Sequence, residues 1–550
     1  MKKALFISLA LCLFVALVLS DGARTVFAEE KDKYGGIFKI AFWKPAMNFG
    51  NPKRILGPDK FYADFALQRL LQPSDKPGIF EPLLATSWEL SPDGKSYIFH
   101  LRKGVKFHDG TAFNAEAVKW NLDRVVKASR ALGKKPPGPP AGPPPGPPAG
   151  GPPGKGPKGK RRGPPPGGPT LSKVTSIDVI DDYTVRLNLS TWDNLILRDL
   201  MWGNACYMVS PTAAEKHGEV WLNTHPVGTG PFKFKAFRRN VYVKYERFED
   251  YWEKGLPYLK GVEVLMIPDP MTAIASLKSG EVNALNEIDR VTAGELASEG
   301  HYDLGRIPGL RIMIVGNAKD PNTVWSDKRM RAAFELAIDK DKIVKTVGRG
   351  YSKAFYEIIP GVPGGPVTAP RKYNPEKAKN LIREAGYPNG IECKLNIFAE
   401  SPKDFWLAIQ DNLKAVGIRV ELNFLSRPTL MSLTFQGVAG NDLRMAVMPN
   451  AMDPFLVLES FLSPKAILFK ELKRPPKVID LLKQVNVEKD LDKQGLLLKE
   501  MEALVYNDAL FIPLWSEPLM RAVDPRVKDY VAYFNGYNEL RLHKAWFKKN

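Results

Sequence analysis

Six histidines supply all the imidazoles of this chain: His100, His108, His217, His225, His301 and His543. No two fall at the spacing of an H-E-x-x-H zinc helix, and His108 belongs to a His-Asp-Gly turn, so histidine-based metal or base chemistry is not indicated. Gly228-Thr229-Gly230-Pro231 is rich in glycine, yet it lacks the lysine and helix start that a phosphate-cradling loop needs. A Gly-x-Ser-x-Gly nucleophile elbow is also absent. Carboxylates remain. Two of them converging in a cleft with shifted pKa values would suffice for a hydrolase, and that reading stays open. The rest of the polar complement suits binding more than turnover. Neither a cofactor nor a metal is expected.

The elements that must position such residues are clearest between residues 81 and 124. Tyr97-Ile98-Phe99-His100-Leu101-Arg102 alternates apolar and polar side chains as a half-buried strand does, and it follows an Asp93-Gly94 turn. Val105-Lys106-Phe107 reads as a second short strand, His108-Asp109-Gly110 as a second turn, and Asn114 as the cap of a helix from Ala115 to about Lys127. Later, Asn374-Pro375-Glu376 is a helix start with cap, first-turn proline and acid, stopping at Gly386. Asp404 to Val416 reads as a helix closed by Gly417, followed by a strand from Ile418 to Leu422. Strands and helices alternate with short turns, the pattern of an α/β or mixed α+β chain.

The wording LATSWELSPDGKSYIFHLRKGVKFHDG resembles the hallmark segment of the family 5 extracellular solute-binding proteins, the substrate-binding subunits of ABC importers. Further stretches follow in the family's order: the hairpin SKVTSIDVIDDYTVRLNLS from Ser172, HPVGTGPFKFKAF from His225, and YWEKGLPYLKGVEVLMIPDPMTAIASLKSGEVNAL from Tyr251. DKRMRAAFELAIDKDKIV from Asp327 and NDALFIPLW from Asn507 complete the set. The resemblance implies a two-lobed periplasmic binding protein of the large three-domain type, with two crossover hinge connections. Domain I would take residues 29–60, 206–308 and 511–550, domain II residues 61–205, and domain III residues 309–510. The implied function is capture of a small solute, peptide-like or another organic molecule including anions, by hinge closure. Delivery would be to an inner-membrane ABC permease and its ATPase subunits. A binding or receptor protein outside transport is the other alternative to the hydrolase.

The same resemblance nominates ligand contacts. Peptide-binding relatives carry a Trp-x-Ala-Asp-Tyr-x-Asp-Pro loop whose carboxylate pairs with the peptide's amino group. Here the matching stretch is Val447-Met448-Pro449-Asn450-Ala451-Met452-Asp453-Pro454, so Asn450 replaces the acid. An amide hydrogen-bonds an ammonium without neutralising it, which argues for a neutral or anionic ligand. Arg427 stands where the family has a cleft aromatic. Its fork suits a carboxylate or phosphate, the alternative being a pair with a surface acid. Trp43, Met47, Trp202, Asn204, Met448 and Trp515 complete the candidates, each tryptophan having a core reading beside the ligand one.

Lys2-Lys3, the apolar run Ala4 to Leu19 and Val26-Phe27-Ala28 make a secretory leader with cleavage expected after Ala28. Cys12 sits in mid-run after Leu11, which argues against a lipid anchor. A soluble periplasmic monomer is expected. Cys206 and Cys393 then remain, and by the resemblance they fall in different lobes as free thiols. The precursor carries net charge +19; losing Lys2, Lys3, Arg24 and Asp21 leaves +17. Seven of those charges lie in KKPPGPPAGPPPGPPAGGPPGKGPKGKRRGPPPGGP, residues 134–169, so the body carries about +10. That stretch cannot bury enough surface to offset its ordering entropy and reads as a solvated excursion. The alternative is an arm whose Lys155–Arg162 cluster touches anionic envelope surfaces. An exported chain without a known nucleic-acid module is not expected to bind nucleic acid.

Overall fold

The computed structural model describes residues 32–133 and 171–549, except 56, 75–78, 204–205, 301, 360–361, 363–368, 450–453, 465, 467 and 534–538. The leader and the Pro/Gly stretch therefore lie outside the described residues. A large mixed sheet organises the rest. Its strands, in chain order, begin with β1 (Ile37–Phe42); the hallmark segment then supplies β2 (Ala85–Leu90) and β3 (Ser96–Leu101), and the hairpin from Ser172 supplies β4 (Val174–Asp181) and β5 (Thr184–Leu189), to a separate sheet ordered β2-β3-β5-β4. The large sheet continues with β6 (Phe232–Arg238), β7 (Tyr242–Arg247), β8 (Gly261–Met266), β9 (Ala284–Ile288), β10 (Asp303–Gly316), β11 (Ile391–Phe398), β12 (Ile418–Leu425), β13 (Leu443–Pro449) and β14 (Ile512–Val523). Its order is β12-β11-β13-β10-β14-β9-β1-β8-β7-β6, with the short strand Lys353–Ala354 added against β14.

The small sheet shows how the local code works. Tyr97, Phe99 and Leu101 are buried on one face of β3, as the alternation requires. Gly94 takes the left-handed conformation in the turn before it. Helix α1 (Ala115–Gly133) covers that face, and the Asn114 side chain accepts from the Ala117 amide at 3.0 Å, closing the helix start. The expected strand at Val105–Phe107 is reduced to a single bridge between Lys106 and Ala112. The chain reverses within a few residues there, so the Phe107 and Phe113 amides bond to Thr111 and Val105 and leave no length for a ladder.

Capping was equally legible downstream. Helix α2 (Arg290–Glu299), not expected from the sequence, starts on Asp289; the expected α3 (Pro375–Glu384) starts on Asn374, whose side chain accepts from Lys377; α4 (Lys403–Lys414) covers the expected helical stretch but for its last two residues. Strand β12 runs three residues past the expected Leu422. Cys206 and Cys393 are both free, and burial raises both thiols, Cys393 to about 12.

The small sheet is fastened to the large one through the Gly-Thr-Gly loop. His108 Nε2 meets the Gly230 carbonyl at 2.9 Å, and the Gly228 amide donates to Nδ1 at 3.3 Å. A Cβ at Gly228 would overlap the Ala66 carbonyl, so glycine is needed there for close backbone approach, not for phosphate. Desolvation is the main cause that lowers the His108 pKa from 6.5 to about 4, with Lys233 acting the same way. The unfolded chain therefore binds a proton that the folded chain refuses between those values. This contribution to stability is complete above pH 6.5 and lost as pH falls toward 4, on the order of 3 kcal/mol. The expected outcome is a melting temperature that drops between pH 6.5 and 4, with a shallower drop in His108→Asn; parallel profiles for the two proteins would refute the assignment.

Candidate functional site

Strands β10 and β14, 14 and 12 residues long, run through the middle of the large sheet and belong to both of its halves. Residues 303–307 of β10 pair with 519–523 of β14, whose far side meets β9. Residues 310–316 pair with β13. The register shifts between Ile307 and Leu310, at the point where one half gives way to the other. Gly309 sits in that irregularity, and a Cβ on it would overlap the Glu517 carbonyl oxygen.

Beside this crossing, β1 runs parallel to both β8 and β9, so three chains leave the sheet at one edge. A pocket of about 270 Å³ opens there, lined by Trp43, Ile267, Pro270, Leu285, Ile288 and Thr292 among others. Trp43 is half-exposed, and its indole donates to Glu287 at 2.9 Å. Lys44 reaches the same carboxylate with both contacts at 2.8 Å and lies 4.7 Å from the Trp43 ring centroid. An apolar floor with a fixed acid at its mouth can seat an organic ligand and orient one donor on it.

One residue further along, Arg290 joins three parts of the molecule. From the first turn of α2 it bonds Asp404 on α4 at 2.5 and 2.6 Å, approaches Glu517 on β14 at 3.5 Å and donates to the Val347 carbonyl. Its guanidinium lies 4.8 Å from the centroid of Phe405, which stacks on Trp515 at 4.3 Å. Burial raises the Glu517 pKa; Arg290 and the Trp515 indole oppose the rise and Asp404 adds to it.

The sequence candidates separate on this geometry. Trp43 lines the pocket, and Met47 lies exposed nearby in the chain with its amide bonded to Asp59 at 2.6 Å. Trp515, 2% exposed, is wedged against Phe405 and Trp406, so its ring packs in the core. Met448 is fully buried with Met313 and Phe455 in the core under β13, where it offers no surface to a ligand. Arg427 takes the surface alternative: it pairs with Glu400 at 2.6 Å and lies over Phe398. Asn450, Asn204 and the side chain of Trp202 lie outside the described residues. Strand β13 ends at Pro449 opposite Leu310, whose other neighbour is Glu517. Glu287, Arg290, Asp404 and Glu517 were missed. The available signal was Glu287-Ile288-Asp289-Arg290, a strand end running into a helix cap.

A profile of the bacterial extracellular solute-binding proteins, family 5 Middle, matches residues 80–467. The chain belongs to this family. It is a solute-binding protein of the ABC-transport type and not an enzyme, in a family whose members act outside the cytoplasm. It is 30% identical over 348 residues to the glutathione-binding protein GsiB of Pectobacterium atrosepticum, covering 62% of this chain and 60% of that one. Against GsiB of Shigella flexneri it is 26% identical over 466 residues, covering 82% and 83%. The periplasmic binding protein DppA from Helicobacter pylori, solved with the peptide STSA, superposes with TM-score 0.73 at 23% identity, covering 95% of this chain and all of that one. The fold is thus the two-lobed periplasmic binding architecture that the wording implied. No helix among the described residues is long and apolar enough to cross a membrane.

Because Arg290 is 93% buried while its main partner is half-exposed, Arg290→Gln is expected to cost about 1–3 kcal/mol. It is also expected to loosen the two halves. A higher radius of gyration by small-angle scattering in the ligand-free variant checks this; an unchanged radius would show that the contact does not hold the halves together. Gly309→Ala should lower the melting temperature by several degrees through the overlap with Glu517, an overpacking cost of roughly 1–3 kcal/mol.

Proposed function

We propose that this protein captures a peptide-like solute of net negative charge, with glutathione as the first ligand to test, between the halves joined by β10 and β14. The observation that carries this reading is the similarity to glutathione-binding proteins over 82% of the chain. The site is compatible with a ligand bearing both signs of charge. Arg290 offers a guanidinium to a carboxylate, while Glu287 and Glu517 offer acceptors to an ammonium. Asn450, where peptide-binding relatives carry an acid, favours the same class, because this chain has one fewer carboxylate at that position of the sequence. Arg427 is tied to Glu400 and is left out of the proposed ligand contacts.

Closure would proceed by bending at the register shift near Gly309, the first of two such shifts along the β10–β14 pairing. Domain I would comprise residues 29–60, 206–308 and 511–550, domain II residues 61–205, and domain III residues 309–510. Export with cleavage after Ala28 would place a soluble monomer in the periplasm, where it would hand the ligand to an inner-membrane permease and its ATPase subunits. The basic stretch at 134–169 would be a tolerated insertion that can also contact anionic envelope surfaces.

Thermal-shift titration decides the ligand class. Glutathione at a hundredfold over its dissociation constant contributes about 2.7 kcal/mol, so a rise of a few degrees is expected, reduced in Glu287→Gln. Stabilisation by unmodified neutral dipeptides or by nickel–histidine complexes, with none from glutathione, would overturn the proposal. N-terminal sequencing of the exported protein should begin at Glu29.

A further inference from the structure

A second cavity, of about 540 Å³, lies away from the Trp43 pocket and shares no lining residue with it. Its walls come from the stretch around Arg69, from Pro82, Leu83 and Arg102, from Tyr251-Trp252-Glu253, and near the C-terminus from Asp529, Val531 and residues 540–544. Arg69 is its most unusual wall. The residue is 95% buried, and among the described residues its Nε and Nη2 hydrogen-bond to nothing. The nearest acid, Asp64, is already engaged by Lys60 at 3.3 Å and by the Tyr207 hydroxyl, and it approaches Arg69 no closer than 3.7 Å. Tyr207 presents its ring face to the guanidinium at 3.8 Å, which orients the fork without using its donors. Buried guanidinium donors without acceptors are costly, and a ligand carboxylate would satisfy two of them at once.

The same cavity holds a complementary deficit. Glu253 Oε2 is buried without a hydrogen-bond partner among the described residues, and His543 Nε2 lies 3.9 Å from it. Burial and the neighbours Lys544 and Arg541 lower the His543 pKa to about 4, so at neutral pH this imidazole brings Glu253 no charge. Tyr251 and Trp252 also line the cavity and give it aromatic surface suited to an apolar side chain.

We propose that this cavity is a second binding site for a free α-amino acid, its carboxylate on Arg69 and its ammonium on Glu253. A volume of several hundred Å³ fits a small-molecule site, and its largely polar lining, which also includes Arg102, Asp529, Arg541 and Lys544, suits a charged ligand. The test is calorimetry with L-leucine and two analogues, isopentylamine without the carboxylate and 4-methylpentanoate without the ammonium. Saturable leucine binding is expected, with each analogue at least tenfold weaker. Arg69→Met should abolish it and Glu253→Gln weaken it at least tenfold. The response to glutathione should be unchanged in both variants, which separates this site from the proposed cleft. Absence of saturable leucine binding to the unaltered protein, or leucine affinity unchanged in Arg69→Met, would overturn the proposal. If Arg69→Met does not fold, Glu253→Gln decides by the same tenfold criterion.

Discussion

Everything in this molecule hangs on the antiparallel pairing of β10 with β14. Each strand takes its hydrogen bonds from one half of the sheet at one end and from the other half at the other end, so neither half is complete without both. The pairing tolerates two register shifts, one at Pro308-Gly309 and one between Ile312 and Met313. At Gly309 the backbones approach so closely that only glycine fits. A ladder interrupted in this way is more compliant at the interruption than on either side of it, which is a mechanical requirement for two bodies that close on a solute.

Electrostatics reinforce the same crossing. Arg290 draws together a helix start, a helix from the opposite half and the crossing strand itself, while Phe405 and Trp515 stack beneath it. A buried cation with one half-exposed partner is well placed to exchange that partner for a ligand group, because water and solute reach Asp404 more easily than they reach Arg290. Two other groups of buried charge are paired within the protein. Glu335 is shared by Lys340 and Arg371, and Arg444 is paired with Glu471 at 2.7 Å. These pairs hold elements in register and have no open side.

Local structure was read from the chain where the code is local. The alternation at Tyr97–Leu101, the caps Asn114 and Asn374, and the helix after Pro402 each depend on neighbours within four residues, and each was found. Val105–Phe107 failed because a strand also needs a partner of sufficient length, which its tight loop denies. The ligand candidates divided for a related reason. Alternation along β13 and β14 tells that successive residues face opposite sides, but not which side a helix covers. Helix α4 packs its Phe405 and Trp406 over Trp515, and the 454–482 segment covers Met448, so both became core.

By itself the sequence determined the family, the mixed α/β class and most of the elements, because wording, periodicity and capping are properties of contiguous residues. The tertiary structure alone decided where a ligand can be met. Arg290 and Asp404 are 114 residues apart, Trp43 and Glu287 244 apart, and Arg69 faces a cavity walled by residues more than 400 positions later. No spacing rule reaches across such distances. Those contacts exist because β1, β9 and β14 become neighbours in one sheet, and hydrogen bonding between strands is indifferent to how much chain separates them.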